Sequence, residues 1–292
     1  MGIKSQPLVS TVICTFNGER YVGQQLESML AQSTSLDEIV VSDDGSRDGT
    51  YSLITDFVET HSGPRYPSWK IFQRNKPLGV SANFEFALRQ ASGKIVFLAD
   101  QDDIWEKDKV RLSIEKFSDQ SVSLVHTDAL LISSENRSVG SLMQTLGLTS
   151  LERKHLTAGQ ALRVLLRRNV VTGATVAIRS SLLDLALPIP NGWIHDEWLA
   201  FVAASRNGVR FDSRMLTKYR QHEGNEIGVS RLGLRRVRDR LKDSRNSVMG
   251  RKQERNRAIE NFLDKNSELL CDREFDLLKQ KLAFDNWRSN LS

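Results

Sequence analysis

The chain has 292 residues, 39% of them hydrophobic and 26% charged, which suits one large domain, or a domain with an appendage, around a substantial core. No apolar run approaches the roughly 18–20 residues of a membrane-spanning helix, Met1–Pro7 lacks a secretory apolar stretch, and Cys14 and Cys271 make neither a disulfide framework nor a cysteine zinc site. A transmembrane protein is excluded and a reducing cytoplasm expected, while the net charge of +5 is uneven: Arg231 to Arg257 holds eleven basic against three acidic residues, leaving −3 elsewhere.

In chain order, Leu8–Cys14 reads as a strand, followed by a helix burying Val22, Leu26, Met29 and Leu30. Ile39–Val41 is a second strand, and Leu53, Ile54, Phe57 and Val58 mark a second helix. A loop over His61–Pro67 leads to a short strand at Trp69–Phe72, then a helix with Phe84, Ala87, Leu88 and Ala91. Ile95–Ala99 runs continuously apolar, as a strand buried on both faces does. Val122–Ile132 reads as one long strand or two, and Ser133–Thr149 as a loop. Ala174–Ile178 is a strand, Glu197–Ser205 a helix and Met215–Gln221 a strand. Alternating strands and helices predict an α/β fold with a mostly parallel sheet. From Arg231 onward the pattern is helical, with Ile259, Phe262, Leu263 and Leu270, then Phe275, Leu278 and Leu282, defining two amphipathic helices.

Acidic residues gather at strand ends, where ligands collect in open α/β sheets. Asp43, Asp44 and Asp48 follow one strand; Asp100, Asp102 and Asp103 follow another. Crowded carboxylates at a buried strand tip repel one another unless a cation or a donor-rich ligand neutralises them, and a divalent metal answers that need. The structural reading is that Asp43–Asp48 are Asx-turn residues and that Asp103 caps a following helix. No Gly-x-Gly-x-x-Gly or Walker A run occurs, so phosphates need metal and side-chain cations. Strand alternation places Lys218, Arg220 and His222 on one side, with His222 able to add an imidazole to a carboxylate-bound metal. His195-Asp196-Glu197-Trp198 precedes an apolar helix. A carboxylate there is either a helix cap or, held in a cleft with a raised pKa, a general base. Thr172-Gly173 offers backbone close to the hydroxyl that such a base would deprotonate, and Glu197 and Trp198 are further candidates to bind that acceptor.

Together these motifs resemble the family 2 glycosyltransferases, inverting enzymes of the GT-A fold, over Leu8–Gly228. The likeness rests on six runs in order: Cys14-Thr15-Phe16-Asn17-Gly18-Glu19, Asp43-Asp44-Gly45-Ser46-Arg47-Asp48-Gly49-Thr50, Gly79-Val80-Ser81-Ala82-Asn83-Phe84, Asp100-Gln101-Asp102-Asp103-Ile104-Trp105, His195-Asp196-Glu197-Trp198 and Tyr219-Arg220-Gln221-His222. The fourth and last are most similar to the branch holding bacterial rhamnosyltransferases of surface-polysaccharide assembly. The resemblance implies a GT-A-like, Rossmann-related sheet flanked by helices over 1–228, with 229–292 as a helical extension. It implies a nucleoside pocket of Thr15, Glu19, Asp43 and Asp44, Asn83 against the donor, and Asp100 near the ribose or sugar. Asp102 would bind Mn²⁺ or Mg²⁺ bridging the diphosphate, His222 would complete its coordination, and Asp196 would be the base. The donor implied is a dTDP- or UDP-sugar, dTDP-rhamnose among them, and the acceptor a glycan or lipid-linked hydroxyl. Gln101 between the aspartates and Glu197 beside Asp196 depart from the pattern, the latter leaving open which carboxylate is the base.

In the basic segment Leu234, Val237, Leu241 and Val248 form a thin apolar stripe among arginines. Two readings stand: peripheral attachment to an anionic inner leaflet, or packing on the catalytic domain or on a second subunit. Nucleic-acid binding is disfavoured, since interleaved aromatics are lacking and the rest of the chain is acidic. A glycoside hydrolase, needing no nucleotide, and a non-catalytic glycan-binding or membrane-scaffold protein are the competing function classes.

Overall fold

The computed structural model describes residues 9–222 and 245–290. Strand β1 (Val9–Thr15) is followed by α1 (Val22–Leu30), β2 (Glu38–Asp43), α2 (Thr50–Thr60), β3 (Ser68–Gln73), α3 (Val80–Gln90) and β4 (Ile95–Asp100). Each helix crosses over between strands, so β3, β2, β1 and β4 lie side by side and parallel. Side chains alternate across the pleat and divide the core. Val12, Val40, Val96 and Leu98 meet Phe84, Ala87 and Leu88 of α3 on one face. Ile13, Ile39, Val41 and Phe97 meet Val22, Leu26 and Met29 of α1 and Ile54 of α2 on the other. Both faces are therefore covered, which is why β4 is so uniformly apolar.

The second half holds β5 (Ile104–Trp105), α4 (Lys109–Lys116), β6 (Leu124–Ser133), β7 (Ser138–Ser141), α5 (Leu142–Thr145), α6 (Ser150–Thr157) and α7 (Ala161–Leu165). It continues through β8 (Val176–Arg179), α8 (Leu183–Ala186), α9 (His195–Ser205) and β9 (Val209–Gln221). Beyond β4 the sheet runs β8-β6-β9-β5, with β8 antiparallel to β4 and β6, and β9 parallel to β6. The ambiguous 122–132 stretch is a single strand, and the expected loop after it contains β7 and α5. Asp128 organises that turn: it accepts from the Ser141 hydroxyl at 2.6 Å and the Met143 N–H at 3.0 Å, where the β6–β9 register shifts. Strand β9 begins at Val209, ahead of the expected Met215, because Arg210 and Arg214 interrupt its apolar pattern while pairing with Asp119 and Asp212.

Two helices end the chain, α10 (Arg245–Asn266) and α11 (Asp272–Asn290). Ala258, Ile259, Phe262, Leu263, Leu278 and Leu282 join the same hydrophobic cluster as α9 and the sheet. The Phe262 ring meets Trp198 at 6.0 Å and Phe201 at 5.7 Å, a burial that contributes about 2 kcal/mol. Leu8, Leu234, Val237, Leu241, the Val248 side chain and the expected boundary at Gly228 lie outside the described residues. Among the described residues no helix is long and apolar enough to cross a membrane.

Candidate active site

The carboxyl ends of β1, β2 and β4 form one edge: Thr15 lies opposite Asp43, and Cys14 opposite Asp100. Asp43 is fully buried and accepts from the Thr15 hydroxyl at 2.8 Å, the Ser46 N–H at 2.9 Å, the Ser46 hydroxyl at 2.5 Å and the Gly45 N–H at 3.2 Å. Gly45 has φ +86°, and a Cβ there would meet the Arg74 carbonyl oxygen at 3.1 Å, so the turn under Asp43 requires glycine. Asp44 reaches the loop before α3, accepting from the Leu78 and Gly79 N–H groups at 2.8 and 2.9 Å. Asn83 and Ser42 exchange two hydrogen bonds, at 2.6 and 2.9 Å. Glu19 accepts from the Gly49 N–H at 2.9 Å, and Asp48 from Thr50 at the start of α2. The Asx-turn reading thus describes the local role of Asp43 and Asp48. Thr15, Glu19, Asp43, Asp44 and Asn83 are brought together around one wall.

The Asp100–Asp103 run joins this wall to β9. Gln101 is a tie, accepting from the Phe16 N–H at 2.8 Å and donating to the Phe16 carbonyl at 3.0 Å. Asp103 does not cap a helix, since a strand follows it and α4 starts at Lys109. It accepts the Arg220 N–H at 3.0 Å, while its other oxygen is buried without a partner among the described residues. The Arg220 guanidinium donates to the Asp102 carbonyl at 2.7 Å and to Gln24 at 3.0 Å, and lies over the Tyr21 ring at 4.5 Å. It therefore braces the motif from behind. Beside it the His222 Nε2 and an Asp102 carboxylate oxygen converge at 2.8 Å.

Electrostatics set Asp100 apart. Loss of water around it, then the charges of Asp102 and Asp196, push its carboxyl up to about 7. Burial likewise drives Asp103 well above the usual carboxylate range. The buried Lys109 relieves both; it donates to the Ala174 carbonyl at 2.6 Å and the Thr217 hydroxyl at 2.8 Å. Burial holds its ammonium down at about 7 against the attraction of Asp103 and Asp100. Lys109 was not legible in the sequence as part of the site.

Across this edge stands Asp196, in the first turn of α9. The N-cap is Ile194, without a side-chain cap, so Asp196 is not the cap. Its carboxylate accepts the Gly173 N–H at 2.8 Å and the Glu197 N–H at 2.6 Å. Burial pushes its pKa up to about 7 and the Glu197 charge adds to this, while the two N–H groups oppose it. A Cβ on Gly173 would come within 2.9 Å of His195 Nε2, so the close approach depends on glycine. Thr172 stands half-buried before that turn, its carbonyl accepting from Thr175. The His195 ring stacks on Phe84 at 3.9 Å, and burial lowers its pKa to about 3, leaving it neutral.

A model of Glycosyl transferase family 2 matches residues 10–184, more than half of the chain. The chain belongs to this family. Alignments over 114, 126 and 130 residues of the chain span only 34%, 18% and 50% of the length of three curated relatives. Over a longer stretch the chain is 24% identical to the dTDP-rhamnosyl transferase RfbG of Shigella flexneri, across 224 residues covering 75% of this chain and 74% of RfbG. Among solved structures, S. aureus TarS 1–349 in complex with UDP-GlcNAc matches with TM-score 0.57 and 18% identity, covering 93% of this chain and 83% of that one. The mannosyltransferase PcManGT from Pyrobaculum calidifontis, in complex with GDP-Man and Mn²⁺, matches with TM-score 0.56 and 17% identity, covering 96% and 81%. At such identities the likeness speaks for the fold, which is GT-A as expected.

In this family 2 chain the remaining expected residues divide. Trp198 lies in the aromatic core at 3% exposure, its indole N–H donating to the Ala186 carbonyl at 2.7 Å, so α9 turns it away from the cleft. Glu197 is held by Arg255 of α10 in a two-pronged ion pair, one contact at 2.9 Å. Asp102 and His222 fit a divalent cation shared with a ligand: Mg²⁺ and Mn²⁺ commonly take one or two carboxylates, an imidazole for Mn²⁺, and substrate phosphates. Among the described residues no third His, Cys, Asp or Glu joins Asp102 and His222.

Proposed function

We propose that this family 2 enzyme transfers a sugar from a nucleoside diphosphate sugar to a hydroxyl of a glycan or lipid-linked acceptor, with inversion, in surface-polysaccharide synthesis. The observation that supports the reading is Asp196 itself: a buried carboxylate, fixed by backbone N–H groups, raised to about 7 and close enough to Asp100 for the two charges to repel. Such a group can take a proton near neutral pH. The acceptor O–H gives its proton to Asp196 as its oxygen bonds to the anomeric carbon. The bond from that carbon to the diphosphate oxygen breaks on the opposite face, and its electron pair leaves with the nucleoside diphosphate. One displacement inverts the centre. Asp102 and His222 would hold Mn²⁺ or Mg²⁺, which when bound supplies charge stabilisation for the departing phosphates. Thr15, Glu19, Asp43, Asp44 and Asn83 shape the nucleoside wall, Asp100 faces the ribose or sugar, and Thr172 and Gly173 border the acceptor beside Asp196. The nucleotide-sugar complexes of TarS and PcManGT support a nucleotide-sugar donor, and the likeness to RfbG and to UDP-GlcNAc-bound TarS favours a dTDP- or UDP-linked one.

We further infer that the catalytic unit lies within 1–228 and that 229–292 forms an extension, whose basic stretch either meets an anionic leaflet carrying the acceptor or packs on the catalytic domain or a second subunit, as its Arg255 does on Glu197. Salt-sensitive flotation with anionic liposomes checks the leaflet contact, and its absence removes it. The reading as a whole is tested by nucleoside diphosphate release from a panel of dTDP-, UDP- and GDP-sugars, with and without Mn²⁺ or Mg²⁺. Metal-dependent release confined to one donor is expected. Release from none, without thermal stabilisation by any, overturns it.

A further inference from the structure

The C-terminal helices do more than close the core, because α10 reaches the base from outside the sheet. Arg255 engages both Glu197 carboxylate oxygens through its two terminal nitrogens. The same guanidinium lies 4.0 Å over the Trp193 ring, which sits edge-on to Trp198 and so rests on the core under α9. Two prongs and one aromatic shelf fix a planar group far better than a single contact. Glu197 is adjacent in sequence to Asp196, and its backbone N–H is one of the two donors on the Asp196 carboxylate. Its side chain, if unpaired, would be a second carboxylate beside the first. Paired, its charge is offset by the guanidinium and adds only a lesser part to the rise at Asp196, after burial.

We propose that Arg255 is a positioning residue of the transfer reaction: by clamping Glu197 it leaves Asp196 as the sole carboxylate free to accept the acceptor's proton, and it shields Asp196 from a like charge. This rests on Asp196 being the base, as proposed above. It also resolves the choice between neighbouring carboxylates by geometry, since Asp196 keeps only backbone donors while Glu197 is committed to an arginine 58 positions away. The groups facing Asp196 are Glu197 and His195 from its own helix, Asp100 from β4 and Tyr219 from β9. From α3 come only the neutral Ser81, bonded to the His195 N–H at 3.2 Å, and Phe84. His195 is neutral, so Glu197 and Asp100 are the like charges, and only Glu197 has an arginine on it.

The test is a pH series of kcat/KM, read as nucleoside diphosphate release into water from dTDP-rhamnose, UDP-GlcNAc and GDP-mannose with Mn²⁺, using the donor that turns over. Six proteins are compared: wild type, Arg255→Gln, Glu197→Gln, their double variant, Arg255→Lys and Asp196→Asn. Arg255→Gln leaves Glu197 charged beside Asp196, so the acidic limb moves to higher pH and kcat/KM falls several-fold more at about pH 6 than at about pH 9. Glu197→Gln keeps turnover and moves the limb to lower pH. The double variant returns it toward wild type, the non-additivity of a coupled pair. Arg255→Lys, which keeps the charge without the fork, rescues the limb in part. Equal loss at every pH with an unmoved limb makes the pair merely structural and overturns the inference, as does a Glu197→Gln protein without turnover. Should Arg255→Gln fail to fold, Arg255→Lys decides: a limb moved part of the way to higher pH is expected, and an unmoved limb overturns the inference. Asp196→Asn separates the two levels: full activity in that variant sinks the base assignment itself, whereas loss there with an unmoved limb in the others sinks only the role of Arg255.

Discussion

The two walls of the cleft use the same residue, aspartate, in opposite ways. On the wall at the ends of β1 and β2 Asp43 takes hydrogen bonds from Thr15, Gly45 and Ser46, and Asp44 takes the Leu78 and Gly79 N–H groups, so each carboxylate is paired and holds a loop in place. On the opposite side, among the described residues, Asp103 has one donor and Asp196 has backbone N–H groups alone, and burial pushes both upward. Donor supply, rather than residue type, decides which carboxylates anchor the fold and which are kept poised for protons.

Substitution on the two walls should therefore fail differently. Asp196→Asn should lower the turnover number by about 10²–10⁴-fold with little change in donor affinity or melting temperature, measured by steady-state kinetics and calorimetry. Asp43→Ala strips a buried carboxylate from its donors and should cost roughly 3 kcal/mol, visible in urea unfolding whether or not donor is present. An Asp196→Asn protein that loses stability like Asp43→Ala would erase the distinction. Between the walls, His222→Ala should raise the half-saturating Mn²⁺ concentration by at least about tenfold while leaving metal-free stability near wild type.

The smallest effect carries a definite sign. Asp100 has a folded pKa of about 7, above the unfolded value of about 3.9, so the native state holds a proton that the unfolded state has released. Stability from this group is full below about pH 4 and is lost as pH rises through about 7. Asp100→Asn should thus stabilise the metal-free protein by on the order of 1 kcal/mol at about pH 8, the gain vanishing toward pH 4. A gain that grows on acidification would contradict the poised-carboxylate picture.

Much of the parallel half was readable because its strands advertise themselves. β4 is apolar without interruption, and acids at the ends of β2 and β4 mark the edge where they stand. The antiparallel half was less legible: Arg210 and Arg214 hide the start of β9, and α4, α6 and α7 are too short for a helical period to build up. Trp198 shows the limit of a motif, which places it two positions from Asp196 without saying that α9 turns it into the core. Gln101, Lys109 and Arg255 acquire their roles from partners far away in sequence, Phe16, Thr217 and Glu197, and no local pattern encodes such distances.

Anomalous diffraction from crystals soaked with Mn²⁺ and the nucleotide sugar that turns over speaks most directly to how the cleft works. One manganese peak is expected between Asp102, His222 and the diphosphate, with the anomeric carbon lying between that peak and the Asp196 carboxylate. Bound donor with manganese elsewhere, or with its anomeric carbon turned away from Asp196, would contradict the division of labour between the two walls.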